Sequence, residues 1–325
     1  MSPSANSTTG DTSSGAQQLS IVVTGGASGI GLAITRHFAA QGHMVAVLDV
    51  NSKTGPDVVA EVSKQHPQAK LSFKWCDVSS WEGQYAVFDQ VYREHGDRID
   101  IVIANAGISD PVVGALDCTP TEFPRKPNLR MQDINLNGVI YSQIYRFRNI
   151  IVSRLTVTVG VSLAVHYMLK NEIGSRLPNS RGSIVCTSSS AAIYPFPVSP
   201  LYSSAKSGII GLVRSMAIRL EEPKIQINAL APGVLGKPTS LYVTARLLTD
   251  DAETNITPDK ELFKAMIITP LSTLTKAVSQ FVTDPSRTGQ VAELNEETIT
   301  LRPHADFADA GAEHNNKMFY KLGHA

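Results

Sequence analysis

The sequence predicts an α/β protein built on a doubly wound parallel β-sheet. Apolar runs typical of buried strands alternate with helical segments from residue 19 onward, and this alternation places helices on both faces of a parallel sheet. The first apolar run is followed by a glycine-rich turn, TGGASGIG at Thr24–Gly31, and then by a helix. The chain has 325 residues, which is enough to bury a full core around such a sheet.

Strands and helices are expected in the following order. The strands are Ser20–Thr24, Met44–Asp49, Leu71–Cys76, Ile99–Ala104, Gly182–Thr187, Gln226–Leu230 and Gln290–Leu294. The helices, whose apolar positions recur at helical spacing, are Ile30–Gln41, Pro56–Gln65, Trp81–His95, Leu201–Leu220 and Lys260–Met266. One domain is expected over 19–300, with a polar disordered tail at 1–18, a loop-rich substrate lid at 235–270 and a C-terminal extension at 301–325.

The glycine-rich turn predicts a dinucleotide-binding site. Among Gly25, Gly29 and Gly31, one glycine would allow the tight turn, one the close approach of a pyrophosphate, and one the packing of helix on strand. Free backbone N–H groups at the start of the helix favour phosphates there. Asp49 closes the second strand 18 residues beyond Gly31. A carboxylate at that place would bind the ribose hydroxyls and repel a 2′-phosphate, so the sequence favours NAD over NADP.

Composition argues against several other classes of partner. Lys+Arg and Asp+Glu both number 29, so no net charge attracts nucleic acid or an acidic membrane. Cys76, Cys118 and Cys186 are widely spaced and odd in number, which indicates neither a disulfide framework nor a metal site and fits a reduced, cytoplasmic protein. Cys76 and Cys186 are expected to be small core residues. Residues 149–169 are apolar, but Arg154 among them argues against a membrane span.

A second group of residues predicts acid–base chemistry. Tyr202 and Lys206 are four residues apart in YSSAK, so their side chains would share one face of a helix. An ammonium beside a phenol favours the phenolate and would lower the pKa of Tyr202, which could then exchange a proton with an alcohol or ketone near neutral pH. Upstream, the strand GSIVCT ends in the serine run Ser188–Ser190. The hydroxyls of this run would lie at the carboxyl edge of the sheet.

Taken together, these motifs resemble the short-chain dehydrogenases/reductases. TGGASGIG, Asp49, CDV, ANAG, DINLNG, the serine run, YSSAK and APGV occur in the order found in that family, over residues 19–300. Within the family the chain is most similar to the NAD-dependent 15-hydroxyprostaglandin dehydrogenase-like group and related fungal enzymes. The resemblance implies a Rossmann fold, hydride transfer between NAD and a small lipophilic secondary alcohol or ketone, and a homodimer or homotetramer.

The resemblance also implies roles for particular residues. Tyr202 resembles the general acid/base, Ser189 the residue that holds the substrate oxygen, and Lys206 the residue that binds the nicotinamide ribose. Asn135 resembles an asparagine that supports a water between the lysine and solvent. The residues expected to bind the cofactor are Gly25, Ser28, Gly29, Ile30, Gly31, Asp49, Asp77, Val78, Asn105, Ala106, Gly107, Tyr202, Lys206, Pro232 and Val234.

Two features depart from the family pattern. The family usually has a threonine three or four residues past the glycine of APGV, whereas this chain has Gly and Lys at 236–237 and Thr239 as a substitute. Asn135 and Ser189 are 54 residues apart, although one helix, one turn and one strand need roughly 25–30. Removing 143–160 would join NLNGVIYS to VSLAVHYMLK in one helix. The segment is therefore interpreted as an insertion, either native or from a retained intron.

Two alternatives to an alcohol dehydrogenase stay open. One is a ketoreductase of a fungal-type secondary metabolite. The other is a catalytically idle dinucleotide-binding isoform, in which the insertion disrupts helix packing. The substrate itself is not fixed by the sequence, because the lid at 235–270 carries no diagnostic charge or metal-ligand cluster.

Overall fold

A computed structural model describes residues 17–108, 128–140, 160–197, 199–236 and 266–323. The strands are β1 Ser20–Thr24, β2 Met44–Asp49, β3 Lys70–Trp75, β4 Ile101–Ala104, β5 Gly182–Thr187, β6 Ile225–Pro232, β7 Leu235–Gly236, β8 Thr269–Pro270, β9 Val291–Asn295 and β10 Thr298–Leu301. The helices are α1 Gly29–Ala40, α2 Gly55–Gln65, α3 Trp81–Glu94, α4 Arg130–Gln132, α5 Gly138–Ile140, α6 Gly160–Met168, α7 Pro200–Arg219, α8 Leu271–Thr283 and α9 Ala310–Gly323. A π-helical turn, Asp133–Asn137, joins α4 to α5, and a 3₁₀ turn, Ser190–Ala192, follows β5.

Eight of these strands form one sheet in the order β10-β9-β6-β5-β4-β1-β2-β3. Every neighbouring pair is parallel except β9 and β10, which are antiparallel. From β1 the chain proceeds outward through β2 and β3, and β4 then returns to the other side of β1. The strand order thus reverses between β1 and β4, and in open α/β sheets ligands bind outside the carboxyl ends of the strands at such a point.

Apolar cores on both faces of the sheet confirm the doubly wound architecture. One face packs against α3, α6 and α7, and the other against α1 and α8. Cys76 and Cys186 are buried in the first of these cores, as predicted, and burial raises the pKa of each thiol to about 12. Cys118 lies outside the described residues.

The predicted strand bounds are close to those observed. Those of β1, β2 and β5 are identical, β3 and β9 are displaced by one residue, and β4 begins two residues later than expected. At the start of β4, Asp100 is held by its neighbours, because its N–H donates to the Ser20 carbonyl and its carboxylate accepts from the Ser20 N–H and from Arg98. Strand β6 is longer than predicted, since it pairs with β5 on one side and β9 on the other.

Helices α8 and α9 and strands β7, β8 and β10 were not predicted. The predicted helix Lys260–Met266 falls outside the described residues except for Met266, which is not helical. The lid prediction, 235–270, is described only at its two ends. These ends are β7 and β8, which pair with each other in a separate two-stranded parallel sheet. The two described ends of the predicted lid therefore pair with each other close to the end of β6.

Of the predicted insertion, 143–160, the structure describes only Gly160, because 141–159 lie outside the described residues. Helix α5 ends at Ile140 and α6 begins at Gly160. A Cβ atom built on Gly160 would lie 3.4 Å from the Gly138 carbonyl oxygen and 3.6 Å from that of Val139. Successive turns of one helix make contacts of this kind. The two helices therefore meet end to end, and Gly160, which was predicted as the last residue of the insertion, lies in the first turn of α6.

We expect deletion of 143–160 to raise the melting temperature and to sharpen a homodimer or homotetramer peak in gel filtration. Joining Ser142 to Val161 restores the continuity of the helix, and each kcal/mol gained raises the melting temperature by about 2–4 °C in a protein of this size class. Full-length protein with Arg146, Arg148 and Arg154 replaced by Ser is a control that changes the charge but not the length. A deletion variant that is insoluble or less stable would show that the segment belongs to the native fold.

Candidate active site

The glycine-rich turn lies between β1 and α1 and leaves no room for a side chain at two of its glycines, Gly25 and Gly31. Gly25 adopts φ +60°, and a Cβ atom there would lie 2.9 Å from the Ala106 Cα. A Cβ atom on Gly31 would lie 2.0 Å from the Gly25 carbonyl oxygen. Ser28 precedes α1 with extended backbone, and its side chain caps none of the first N–H groups. The turn therefore presents backbone N–H groups at a helix start, which is an arrangement that binds phosphates.

The carboxylate of Asp49 lies beside this turn, at the carboxyl end of β2. Its Oδ2 atom accepts a hydrogen bond from the Ala27 N–H at 3.1 Å, and its Oδ1 atom accepts one from the Asn51 N–H at 3.0 Å. These two bonds fix the orientation of the carboxylate, while each oxygen keeps a lone pair for a further donor. Bare backbone amides beside an oriented carboxylate fit the phosphates and adenosine ribose of a dinucleotide.

Asn105 joins the carboxyl ends of three neighbouring strands. Its Nδ2 atom donates to the Thr24 carbonyl at 3.1 Å, and its Oδ1 atom accepts from the Thr187 hydroxyl at 3.1 Å. The Thr24 hydroxyl in turn accepts from the N–H groups of Asn105 and Ala106, both at 3.0 Å. Hydrogen bonds therefore join the end of β4 to β1 and β5, at the place where the strand order reverses.

Gly107 lies where Asn135 and Lys206 approach each other. A Cβ atom at Gly107 would lie 3.1 Å from the Asn135 Oδ1 atom and 3.4 Å from the Lys206 Nζ atom. The Asn135 side chain is fully buried on the π-helical turn, where it donates to the Ile108 carbonyl and accepts from the Ile108 N–H, each at 2.7 Å. Asn135 thus holds the chain after β4, next to the lysine. Its predicted support of a water stays a prediction.

Ser189, Tyr202 and Lys206 come together at the carboxyl edge of the sheet. Ser189 directly follows β5, and its Oγ atom accepts from the Ala191 N–H at 3.2 Å. Tyr202 lies in the first turn of α7, and the Ser189 side chain lies close enough to the Tyr202 phenol to lower its pKa. The Lys206 Nζ atom lies one turn later, 5.6 Å from the centre of the Tyr202 ring, and donates to the Thr187 carbonyl at 2.9 Å.

The neighbouring serine differs from Ser189 in its surroundings. Ser188 is buried, and its hydroxyl donates to the Lys206 carbonyl at 2.8 Å. That hydroxyl stabilises the contact between β5 and α7. The arrangement agrees with the choice of Ser189 over Ser188 for the substrate oxygen.

Burial changes the expected acidity of the acid–base pair. It raises the pKa of the Tyr202 phenol, and the Ser189 side chain opposes this rise only in part. Burial also lowers the pKa of Lys206 to about 8. The prediction of a lowered tyrosine pKa is wrong for this structure, because desolvation of the phenol outweighs the effects that favour the phenolate, and the ammonium donates to the Thr187 carbonyl. The phenol is therefore protonated at neutral pH.

The remaining predicted cofactor residues border the same edge. Ile30 packs against the apolar core from the first turn of α1, while Asp77 and buried Val78 follow the end of β3. Pro232 ends β6. The Val234 carbonyl accepts from the N–H of a residue in β8 at 2.8 Å, so the segment after β6 is tied to the far end of the predicted lid. Thr239 lies outside the described residues.

Two threonines that sequence reasoning missed hold the site together. Thr24 receives the backbone N–H groups after β4, and Thr187 provides the carbonyl for Lys206 and a hydroxyl for Asn105. Each is the last residue of its strand. A polar residue closing an otherwise apolar strand is the signal that could have found them, because ligands bind at that edge.

Comparisons with known proteins identify the family of the chain. The family model described as "short chain dehydrogenase" matches residues 20–145 and 143–245, so its match is divided where the predicted insertion begins. The chain belongs to the short-chain dehydrogenase/reductase family, whose members are oxidoreductases that bind a nicotinamide dinucleotide.

Similar proteins include fungal members of the family. The chain is 28% identical over 274 residues to the short-chain dehydrogenase/reductase prx6 of Penicillium rubens, covering 83% of this chain and 76% of that one. It is 29% identical to 5'-hydroxyaverantin dehydrogenase of Dothistroma septosporum, covering 69% of each chain. Over the first five curated relatives, the matches span between 53% and 76% of the relative's length.

A solved structure shows the same fold. Levodione reductase superposes with a TM-score of 0.64 at 24% identity, covering 86% of this chain and 97% of that one. Within the described ranges, no group of three or more His, Cys, Asp or Glu side chains could hold a metal ion. None of the helices in those ranges is long and apolar enough to span a membrane.

Proposed function

We propose that this protein is an NAD-dependent oxidoreductase that interconverts a small lipophilic secondary alcohol and its ketone. The observation that carries the proposal is the convergence of Ser189, Tyr202 and Lys206 beside the glycine-rich turn. The Ser189 side chain lies beside the Tyr202 phenol, and the lysine lies one helical turn from the tyrosine. A substrate oxygen placed between the two hydroxyls would meet both a hydrogen-bond donor and a proton acceptor.

The residues of the chain move and hold the proton in this mechanism. Ser189 holds the substrate oxygen by its hydroxyl, and Tyr202 takes the proton of an alcohol or returns it to a ketone. The bound nicotinamide would accept or supply the hydride at the carbinol carbon. Reduction requires the protonated phenol, which the raised pKa of Tyr202 favours at neutral pH. Oxidation requires the phenolate, so its rate is expected to rise with pH.

The surroundings of the site support a lipophilic substrate. Ile108, directly after Gly107, and Phe196, whose ring lies 6.3 Å from that of Tyr202, are both exposed. Ile267, two residues before β8, is 69% exposed. Exposed apolar side chains around a polar reacting centre are typical of sites that bind small apolar molecules.

The alternatives differ in substrate or in activity. A ketoreductase of a fungal-type secondary metabolite would use the same residues, and the similarity to 5'-hydroxyaverantin dehydrogenase is the finding that favours it. In a catalytically idle isoform, binding would persist without turnover. Purified protein incubated with NAD and a panel of secondary alcohols separates these cases, since binding without turnover supports only the idle isoform.

Asp49 supports NAD as the cofactor, because its oriented carboxylate would meet a 2′-phosphate with like charge. We expect the KM for NADP to exceed that for NAD by at least about tenfold, which corresponds to about 1.4 kcal/mol. Asp49→Ser should narrow the difference, and Asp306→Ser, at an exposed position remote from the turn, should not. Equal KM values for the two cofactors in the unmodified protein would contradict the proposal.

We also propose a cytoplasmic homodimer or homotetramer. The support is the outward face of α7, where small residues at Ser204, Ser207 and Gly211 are exposed and would let a second helix approach closely. Gel filtration with light scattering measures the oligomeric state directly. A monomer at micromolar concentration would contradict this part of the proposal.

A further inference from the structure

Tyr194, Glu293 and Arg302 form a cluster that none of the predicted roles uses. Glu293 lies on β9 with its side chain 1% exposed. Its Oε2 atom accepts from the Arg302 guanidinium and from the Tyr194 hydroxyl, the latter at 3.3 Å, and its Oε1 atom accepts from Asn295 at 2.8 Å. Arg302 also donates to the Tyr194 hydroxyl. The phenol is therefore held from two sides by an ion pair whose carboxylate is buried and whose guanidinium is 39% exposed.

The ring of Tyr194 is fixed but not covered. The residue is 49% exposed, although its hydroxyl is bound and the Arg302 guanidinium carbon lies 5.8 Å from the ring centre. A tyrosine with its polar end anchored loses little further freedom when a ligand covers the ring. The remaining ring surface is thus a preformed apolar wall.

The position of this wall relative to the reacting groups follows from the sheet. Tyr194 is five residues after Ser189, and its N–H donates to the Ser190 carbonyl at 2.9 Å. Its hydroxyl reaches Glu293 on β9, whereas the segment that carries it leaves from β5. Strand β6 lies between these two strands, and Glu293 pairs with Ala231, the residue before Pro232. The side chain therefore crosses the carboxyl end of β6.

The same short segment also contacts the proposed acid/base. Phe196, two residues after Tyr194, places its ring edge-on at 6.3 Å from the Tyr202 ring. Two exposed aromatic rings therefore flank the side of the site toward β6 and β9. Aromatic rings favour offset or edge-on contact with other aromatic rings.

We propose that Tyr194 is a substrate-positioning residue and that the substrate carries a flat aromatic group next to its carbinol carbon. This inference rests on the proposed function, and names the class of alcohol that the site takes. Glu293 and Arg302 act through Tyr194, because they hold its ring in a fixed position. An aromatic substituent of the substrate packs against this ring while the alcohol oxygen lies between Ser189 and Tyr202.

The test compares two alcohols of different size, methyl naphthyl carbinol and isopropanol. In Tyr194→Ala we expect the KM for the naphthyl alcohol to rise about tenfold, with kcat and the KM for NAD within twofold of the unmodified protein. Isopropanol, which cannot reach the ring, should be unaffected. Tyr194→Phe keeps the ring and should retain most of the affinity for the naphthyl alcohol. Tyr85→Ala, at an exposed tyrosine on α3, is the matched control.

A binding measurement separates the failure of this inference from that of the proposed function. If the unmodified protein oxidises neither of these alcohols and none of the panel of secondary alcohols, the proposed function fails. The dissociation constant of methyl naphthyl ketone, measured by fluorescence with NAD-loaded protein, still tests Tyr194. Weaker binding in Tyr194→Ala, with normal binding in Tyr85→Ala, supports the inference. Unchanged ketone binding, or an equal loss for both alcohols, overturns it.

Discussion

Tyr202→Phe is expected to lower kcat for alcohol oxidation by at least ~10²-fold, the lower end of what general acid–base catalysis contributes. The substitution keeps the ring, and with it the edge-on contact to Phe196, but removes the oxygen that exchanges the proton. The KM for NAD should change little, because the fold of the glycine-rich turn does not depend on this hydroxyl. Initial rates with a responsive secondary alcohol measure the effect.

The matched control for this substitution is Tyr85→Phe. Tyr85 is an exposed tyrosine on α3 whose ring stacks on Trp81, and loss of its hydroxyl should leave kcat within twofold. Near-normal turnover by Tyr202→Phe would remove Tyr202 from the mechanism.

Lys206→Met is expected to lower kcat/KM by at least ~10²-fold and to raise the KM for NAD. Methionine is close to lysine in volume and suits a buried site, so the change removes mainly the ammonium that donates to the Thr187 carbonyl. Without this cation, the pKa of the Tyr202 phenol rises further, because a nearby positive charge favours the phenolate. The pH at which oxidation reaches half its maximal rate should therefore move upward.

Stability provides a second measurement on the same variant. The folded-state pKa of Lys206 is about 8, below its ordinary value of 10.5. Between pH 8 and 10.5 the unfolded chain binds more protons at this lysine than the folded chain does. The free energy of unfolding of the unmodified protein therefore increases with pH in this window. Lys206→Met lacks this gain. Lys170→Met, at an exposed lysine that contacts the rings of Tyr92 and Tyr167, should keep it, and identical pH profiles for all three proteins would contradict the assignment.

The strand and helix pattern of the central sheet could be predicted because its signals are local. Continuous apolar runs identify strands buried on both faces, and those of β1, β2 and β5 have the observed bounds. Helix α8 was missed because its sequence, LSTLTKAVSQFVT, is rich in β-branched residues and serine, which have low helix propensity. Burial of its apolar face, including Leu274 and Phe281, stabilises it instead.

The positions of the candidate catalytic residues could be predicted, but their environment could not. The spacing from Ser189 to Tyr202 and Lys206 follows from one strand end and one helix face. The pKa of Tyr202 depends on how much of the chain packs around it, which no four-residue spacing reveals. The bonds of Asn135 to the backbone after β4 likewise join segments that are far apart in sequence.

The cluster at Tyr194 shows the same limit more clearly. Glu293 and Arg302 come together because β9 and β10 form an antiparallel hairpin, and both lie about a hundred residues from the tyrosine that they hold. A single sequence contains no signal for this contact. The role of Arg302, which lies in the predicted C-terminal extension, can therefore be recognised only in the folded chain.

Transfer of deuterium from the carbinol carbon of an alcohol to the dinucleotide tests the central claim most directly. Methyl naphthyl carbinol carrying deuterium at that carbon would be incubated with the protein and NAD, and the reduced dinucleotide analysed by mass spectrometry. The account predicts one deuterium in the reduced dinucleotide formed by the unmodified protein, and at least ~10²-fold less labelled dinucleotide in the same time with Tyr202→Phe. Reduced dinucleotide without deuterium, or the same labelling with Tyr202→Phe, would contradict it.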